Sequence, residues 1–369
     1  MNSPFIQTNA SRDRALRDRA ARVIPGGMWG HQRAEALPSG YPQFFESGEG
    51  ARVRDVDGRE YIDFMCAWGP IILGHRHPAV EEAVRKEAER GTCLDGPTEH
   101  AVILAERLVE TVAHADWALF QKNGSDAMTS CVTIARAGTG KRKILIAKGA
   151  YHGAVPWCSP SLTGVTAEDR AHLMHFNFND VESVKATVTE AGDDIAAIVV
   201  SGFRHDLGVP QELPTKAFAE AVRAACDRTG AAMIVDDVRT GFRLNMGGAL
   251  EGLSVRPDLS AFSKAIANGH ALSAVTGSDG FREAANKVFV TGSFWYGGPA
   301  MAAAVETLDE LARIDGPSVM HRAGQRLRDG LNEQAGRHGF TLRQSGPPVM
   351  PLVQFEGDDR ATTLGDIFC

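Results

Sequence analysis

Apolar and polar positions change rhythm along this chain, and each change predicts a different element. Residues 11–24 follow a helical period that stops at Pro25-Gly26-Gly27. The stretch 41–64 alternates instead, with Asp57-Gly58 as a hairpin turn, and predicts a small sheet. Pro78 opens a helix, a favoured first-turn position for proline. From about residue 98 helices and strands alternate. Helix 98–113 leads to strand 117–120. Helix 125–137 carries Ala127, Met128, Cys131, Val132 and Ala135 on one face, and strand 143–147 follows. The continuous apolar run Ile195-Ala196-Ala197-Ile198-Val199-Val200 has the character of a buried parallel strand. Helix 215–229 precedes strand 231–235, which runs straight into Asp236-Asp237, and another strand spans 272–277. An alanine-rich helix covers 300–314, and a helix and a strand at 350–355 lie beyond it.

This order predicts an α/β fold, a mostly parallel sheet covered by helices. The 369 residues are enough for two domains. The expected division is an N-terminal segment (1–65), a large domain (66–300) and a C-terminal segment (301–369). The last is too short to stand alone, so it is expected to pack on the first as a small α+β domain. With 43% hydrophobic and 23% charged residues the composition is that of a soluble globular protein. A net charge of −7 offers no general attraction to nucleic acid. The six cysteines form no CxxC pair and have no zinc spacing, so a reducing cytoplasm and no metal are expected. No apolar stretch has the length of a membrane span, and the first thirty residues lack a signal-peptide core.

The chemistry centres on Asp236 and Lys264. An acid at the carboxyl end of a buried strand sits where α/β sheets bind ligands. Lys264 lies in Ser263-Lys264-Ala265-Ile266, among small and apolar residues. Desolvation lowers an amine's pKa, and a neutral amine attacks carbonyls. Together the two residues point to pyridoxal phosphate, with the lysine on its aldehyde and the acid at its ring nitrogen. Taken singly, each reads equally well as a snorkelling lysine and a capping aspartate. The loop Asn123-Gly124-Ser125 after strand 117–120 offers helix N-terminal N–H groups to an anion, or an ordinary N-cap. Tyr151, past strand 143–147, is placed to stack on a flat ring or to close a sheet edge.

In combination the motifs decide more. Asn123-Gly124-Ser125-Asp126-Ala127, Tyr151-His152-Gly153, Asp236-Asp237-Val238-Arg239-Thr240-Gly241-Phe242-Arg243 and Ser263-Lys264-Ala265-Ile266 resemble the class III aminotransferases, of pyridoxal-phosphate fold type I. The glutamate-1-semialdehyde aminomutase branch is the most similar, also through Ile24-Pro25-Gly26-Gly27, Asp55-Val56-Asp57-Gly58 and Trp68-Gly69-Pro70. The resemblance runs from about residue 14 to the end.

It implies that Lys264 binds the cofactor aldehyde as a Schiff base and that Asp236 pairs with the pyridine nitrogen. Val238 and Tyr151 pack on the two ring faces, and Gly124 and Ser125 hold the phosphate. His152 joins the cofactor-binding set. Arg33 falls where the branch binds a substrate carboxylate, and Trp68 and Arg204 are placed with the substrate. Three departures stand out. Ser201-Gly202-Phe203-Arg204-His205-Asp206 replaces a Glu-Pro-Val stretch, with Asp206 near the position of a cofactor-contacting asparagine. Phe294 stands where a threonine normally reaches the phosphate of the neighbouring subunit, leaving Ser293 or backbone N–H groups for that role. Family members continue several dozen residues beyond the position of Cys369, so an incomplete C-terminal unit is expected.

The resemblance thus implies a homodimeric pyridoxal-phosphate aminotransferase. It would move an amino group from an amino acid, a β- or ω-amino acid by preference, to a keto acid or aldehyde. Intramolecular amino transfer is one alternative, and a cofactor-binding protein without turnover is another.

Overall fold

The computed structural model describes residues 11–30, 32–38, 40–204 and 209–356. Helix α1 (Arg12–Val23) starts at Ser11, whose hydroxyl accepts from Arg14 N. The buried Asp13 carboxylate ties it to the N-terminal sheet by accepting from Gln43 N and Phe44 N, both at 2.9 Å. That sheet is antiparallel, β1 (Phe45–Glu49), β2 (Arg52–Asp55) and β3 (Glu60–Ile62), with the turn at Asp57-Gly58 as expected.

Helices α2 (Pro78–Arg90) and α3 (Glu99–Thr111) lead into the central unit. It continues through β4 (Trp117–Gln121), α4 (Gly124–Thr139), β5 (Lys143–Ala147), β6 (Leu173–Phe176) and α5 (Val181–Ala191). Next come β7 (Ile195–Ser201), α6 (Lys216–Thr229), β8 (Ala232–Asp236), β9 (Leu259–Phe262), β10 (Ser273–Gly277) and α7 (Arg282–Lys287). The seven strands lie in the order β4-β10-β9-β8-β7-β5-β6. All neighbours from β6 to β9 are parallel, and β10 runs antiparallel to both β9 and β4. This is the mostly parallel sheet that the alternation predicts. Beyond it stand α8 (Gly298–Arg313), α9 (Gly316–Arg337) and the antiparallel pair β11 (Thr341–Ser345) and β12 (Leu352–Glu356). This C-terminal pair is tied to the chain after β7, because Gln211 N donates to Ser345 Oγ (2.9 Å) and Gly346 N to Gln211 O (3.1 Å).

Strands β7 and β8 are apolar up to their last residues, Ser201 and Asp236, because both faces are covered. Ile198, Val200, Met233 and Val235 enter the cluster under α5 and α6, with Phe218 and Val222. Ala197, Val199, Ala232 and Ile234 point the other way, against Met128 and Ile134 of α4. A third cluster joins α2, α3 and α8 around Phe242 and Phe262. Sequence patterning leaves β6, α5, β9, α7 and β11 unassigned. The three strands are only four or five residues long, and β9 carries Ser260 at a fully buried position. Among the described residues no helix is long and apolar enough to cross a membrane.

At the antiparallel edge the register sets Gly277 opposite Trp117, and a Cβ there would overlap the indole. Trp117 cannot withdraw easily, being buried and donating from Nε1 to Ser278 O at 2.9 Å. Gly277→Ala is therefore expected to destabilise the protein by about 1–3 kcal/mol, the usual range for overpacking. A lowered urea midpoint checks this, and an unchanged midpoint would contradict it.

Candidate active site

Strands β7, β8 and β9 end at one level. Ser201 pairs across to Asp236 and Asp236 to Ala261, so the carboxyl ends bring Ser201, Asp236 and the Ser263-Lys264 turn together. Ligands of open α/β sheets bind outside this edge. Here the edge opens into a cavity of ≈ 420 Å³, a volume within the ~300–1,000 Å³ of small-molecule sites. Its walls are Pro70, Lys122–Ser125, Tyr151–Gly153, Ser201–Phe203, Asp236, Val238–Thr240, Ser263-Lys264 and Gly269–Leu272.

Asp236 is nearly buried and held from two sides. Its Oδ2 meets His152 Nδ1 at 2.7 Å, and its Oδ1 accepts from Val238 N at 3.0 Å. A carboxylate has about four lone-pair sites, so acceptor capacity is left for a third donor. His152 is itself buried, and its Nε2 has no partner among the described residues. The neighbouring Asp237 is fully enclosed, and burial pushes its carboxyl up to about 6. It accepts from Thr240 Oγ1 (2.7 Å) and Ala249 N (3.2 Å), which fixes the loop after β8.

Lys264 follows β9 with φ +46°, a left-handed conformation that costs a side-chain-bearing residue energy and collects at functional sites. Burial first, then the guanidinium groups of Arg239 and Arg243, lowers its amine to about 8, against the opposing pull of Asp236. Arg243 is 7% exposed, and burial lowers it to about 10. Its Nη1 donates to Arg239 O at 3.0 Å, and its Nη2 lies 3.3 Å from where a Cβ on Gly69 would stand. Asn268 closes the same turn. Its Oδ1 accepts from Ile72 N (3.0 Å) and Leu73 N (2.9 Å), and its Nδ2 donates to Gly74 O (2.9 Å).

At the other wall Asn123 caps α4, accepting from Asp126 N at 3.1 Å. The first-turn amides of Gly124 and Ser125 have no intrahelical acceptor and face the positive end of the helix dipole. Space is tight. A Cβ on Gly124 would come within 2.6 Å of Val238, and one on Gly153 within 2.7 Å of Ser125 Oγ. Lys122 lines the same wall, and burial lowers its amine below the ordinary lysine value.

Of the residues expected from sequence, Gly124, Ser125, Tyr151, His152, Asp236, Val238 and Lys264 all line the cavity. Arg33, Trp68, Arg204 and Ser293 do not. Arg33 is exposed, with its guanidinium over Gly26. Trp68 is exposed in a left-handed turn. Arg204 is engaged by Glu212 at 2.8 Å. Ser293 is exposed, and its carbonyl accepts from Cys93 Sγ. Asp206 lies outside the described residues. Sequence reasoning missed Lys122, Arg239, Arg243 and Asn268. Three of these four stood inside or beside quoted motifs, but burial without a counter-charge is invisible until the chain is folded.

An anion cradle, Tyr151 and Val238 on the cavity wall, an acid and a desolvated amine fit pyridoxal phosphate. The glycine positions support the fit, since side chains there would close the cradle.

Comparison with known proteins agrees. The family model "Aminotransferase class-III" matches residues 38–347. An aminopentol aminotransferase of Sphingopyxis macrogoltabida is 45% identical over 95% of this chain and 83% of its own length. A 3-aminobutyryl-CoA aminotransferase of Cloacimonas acidaminovorans is 35% identical over 95% and 84%. The solved PLP internal aldimine form of the FumI protein of Sphingopyxis sp. MTA144 superposes with a TM-score of 0.91 at 45% identity, covering 95% of this chain and 84% of that one. With its sheet edge, its cavity and these matches, the chain belongs to the class III aminotransferase family, of pyridoxal-phosphate fold type I.

Proposed function

We propose that this cavity is the active site of an aminotransferase that moves an amino group between two small molecules. The observation that carries the assignment of roles is the desolvated Lys264 amine in a left-handed turn beside Asp236. When bound, pyridoxal phosphate supplies an aldehyde for amines and a ring that accepts electrons as a C–H bond breaks. Gly124, Ser125 and Lys122 hold its phosphate at the start of α4. Tyr151 and Val238 confine the ring. Asp236, oriented by His152 and Val238 N, keeps a proton on the ring nitrogen. With the cofactor in place, Lys264 Nζ would hold its aldehyde and, once freed, would take the proton from the donor's amine-bearing carbon and deliver it to the former aldehyde carbon, so that the amino group stays on the cofactor. A positioned acid–base group of this kind contributes about 10²–10⁴ in rate.

The donor we infer carries its amine on a β- or more distal carbon. The two curated relatives support this by name, since neither an aminopentol nor a 3-aminobutyryl-CoA presents a free carboxylate beside its amine. Arg33, exposed and outside the cavity, serves a donor carboxylate only in an assembly that brings the N-terminal segment to the cavity mouth. Equal losses on carboxylated and uncharged amines in Arg33→Ala would count against that role.

We also infer a homodimer in the cytoplasm, with residues 1–65 and 301–369 forming a small domain beside 66–300. Exposed Phe64, Phe289 and Phe294 offer apolar surface to a second copy. Ser293, exposed and away from its own cavity, is free to approach a partner's. A sedimentation mass of one chain would refute the dimer. The aminomutase branch remains the second reading on motif resemblance, whereas the aminotransferase names of both relatives favour transfer between molecules.

Four outcomes are expected. An absorbance scan of the purified protein should show bound cofactor and a spectral change on adding amine. With ¹⁵N-labelled donor, the label should leave on a second molecule, and retention on the first would establish the intramolecular reaction instead. Lys264→Ala should still bind cofactor but resist its fixation by borohydride, with amino transfer down by at least about 10²–10⁴; fixation at any other lysine overturns the assignment. In the cofactor-free protein, trace acylation of Lys264 should be half-maximal near pH 8. The native chain then binds fewer protons than the unfolded chain between pH 8 and 10.5, so this group makes stability rise with pH across that window. Half-maximal labelling near 10.4, the ordinary lysine value, would contradict it.

A further inference from the structure

Just after β3 the backbone takes a course that side-chain-bearing residues avoid. Cys66, Ala67 and Trp68 have φ of +50°, +53° and +66°, and Gly69 follows at +102°. L-residues other than glycine visit the left-handed region singly as a rule. Three in succession store strain, and strain persists only where the surroundings hold it.

Asp63 supplies the hold. Its Oδ1 accepts from Met65 N at 2.9 Å and from Cys66 N at 2.8 Å, the two amides that lead into the run. Its Oδ2 accepts from His75 Nε2 at 2.7 Å, and its side chain is only 9% exposed. Within the run, Cys66 O accepts from Gly69 N (2.9 Å) and Ile71 N (3.2 Å). His75 is fixed in turn. It exchanges backbone hydrogen bonds with Gly50 at 2.8 and 2.9 Å, and a Cβ on Gly48 would stand within 2.8 Å of its ring. Asp63 N donates to Ala51 O at 2.9 Å. Acid and imidazole are thus both anchored on the turn between β1 and β2, and neither lines the cavity.

The strained run ends against Lys264. A Cβ on Gly69 would stand 3.6 Å from Lys264 Cδ, and the next residue, Pro70, lines the cavity. From the lysine's own turn Asn268 fixes Ile72, Leu73 and Gly74, so the segment is fastened at both ends. A strained run whose anchor is cut relaxes away from its neighbour. Here the neighbour is the lysine stem, and water reaching it favours the charged amine.

We propose that Asp63, braced by His75, is a positioning residue for Lys264: by fastening Cys66–Gly69 in its left-handed course it keeps the run on the lysine stem and solvent away from the amine. Asp63 acts through Gly69 and stays outside the cavity. The consequence for catalysis rests on the aminotransferase reading, whereas the effect on the Lys264 amine does not.

Asp63→Ala removes the acceptor of both amides, and Asp63→Asn keeps an oxygen for them. The first readout is trace acylation against pH in the full chain freed of cofactor, with Lys122 on the opposite wall as internal reference. Lys264 in the wild type should be half-labelled near pH 8. Asp63→Ala should raise that midpoint by at least about one unit, so that labelling at pH 8 falls about fivefold, and should leave the Lys122 midpoint in place. The charged groups that act on Lys264, Arg239, Arg243 and Asp236, are unaltered in both variants, so the shift reports access of water. Asp63→Asn should restore the wild-type midpoint. His75→Ala, which leaves both amide bonds, should move Lys264 in the same direction by less. The second readout is amino transfer by the holoenzyme. Asp63→Ala should lower kcat by about 10–10² with KM changed less than about threefold, and Asp63→Asn should stay close to wild type.

A Lys264 midpoint unmoved in folded Asp63→Ala overturns the proposal. So does a common shift of Lys264 and Lys122, which marks general loosening, or an Asp63→Asn profile equal to that of Asp63→Ala. Failure of all three variants to fold assigns Asp63 to the stability of the chain and overturns it too. If the labelling shifts as expected while the wild-type holoenzyme transfers no amino group, the aminotransferase reading falls and the positioning of Lys264 stands.

Discussion

Cations kept out of water are the constraint around which this molecule is arranged. Removing an ammonium or guanidinium from solvent costs several kcal/mol even after relaxation. Lys264 and Arg239 meet that cost in one cavity, and Arg243 adds to it from behind. A fold stabilised only by its own contacts would place a carboxylate against each. Among the described residues this one supplies a single lining acid, Asp236. Burial first, then the charges of Arg239 and Arg243, lowers the lysine to about 8, so that a fraction of it is neutral near physiological pH, the state an amine needs to attack a carbonyl.

The scaffold tolerates this because the stabilising work lies elsewhere. Both faces of β7 and β8 are sealed by helices, so the sheet needs nothing from its carboxyl edge. Strain and unpaired charge are concentrated at that edge. Close packing then sets the shape of the site. Gly124 against Val238 and Gly202 against Thr240 leave no room for a Cβ, so the helix start and the strand ends approach as near as backbones allow. Placement of the acid thus follows from strand register, and that of the amine and the amides from the turns that leave the strand ends.

Much of this was legible in the sequence. The all-apolar β7 and β8 could be read because parallel strands covered on both faces leave no polar positions. Lys264 and Asp236 could be read because each breaks such a run with a charge. The strands β6 and β9 could not, since four residues carry too little period to register. Arg33 entered the expected set through the branch's carboxylate-binding arginine and Arg204 through the changed stretch after β7, yet neither lines the cavity: one lies on the surface and the other is engaged by Glu212. Arg239 went unnoticed for the converse reason. Its burial on the cavity wall over the Phe203 ring is a property of three-dimensional surroundings.

Asn268 has a consequence for how the protein is made. Its side chain clamps Ile72, Leu73 and Gly74, nearly two hundred residues earlier in the chain. That clamp joins the turn carrying Lys264 to the segment beginning at Pro70, which forms one wall of the cavity. Contacts so distant in sequence form late, after the entropy of closing the intervening loop has been overcome. Completion of the turn that carries Lys264 therefore waits on the meeting of two segments far apart in the chain.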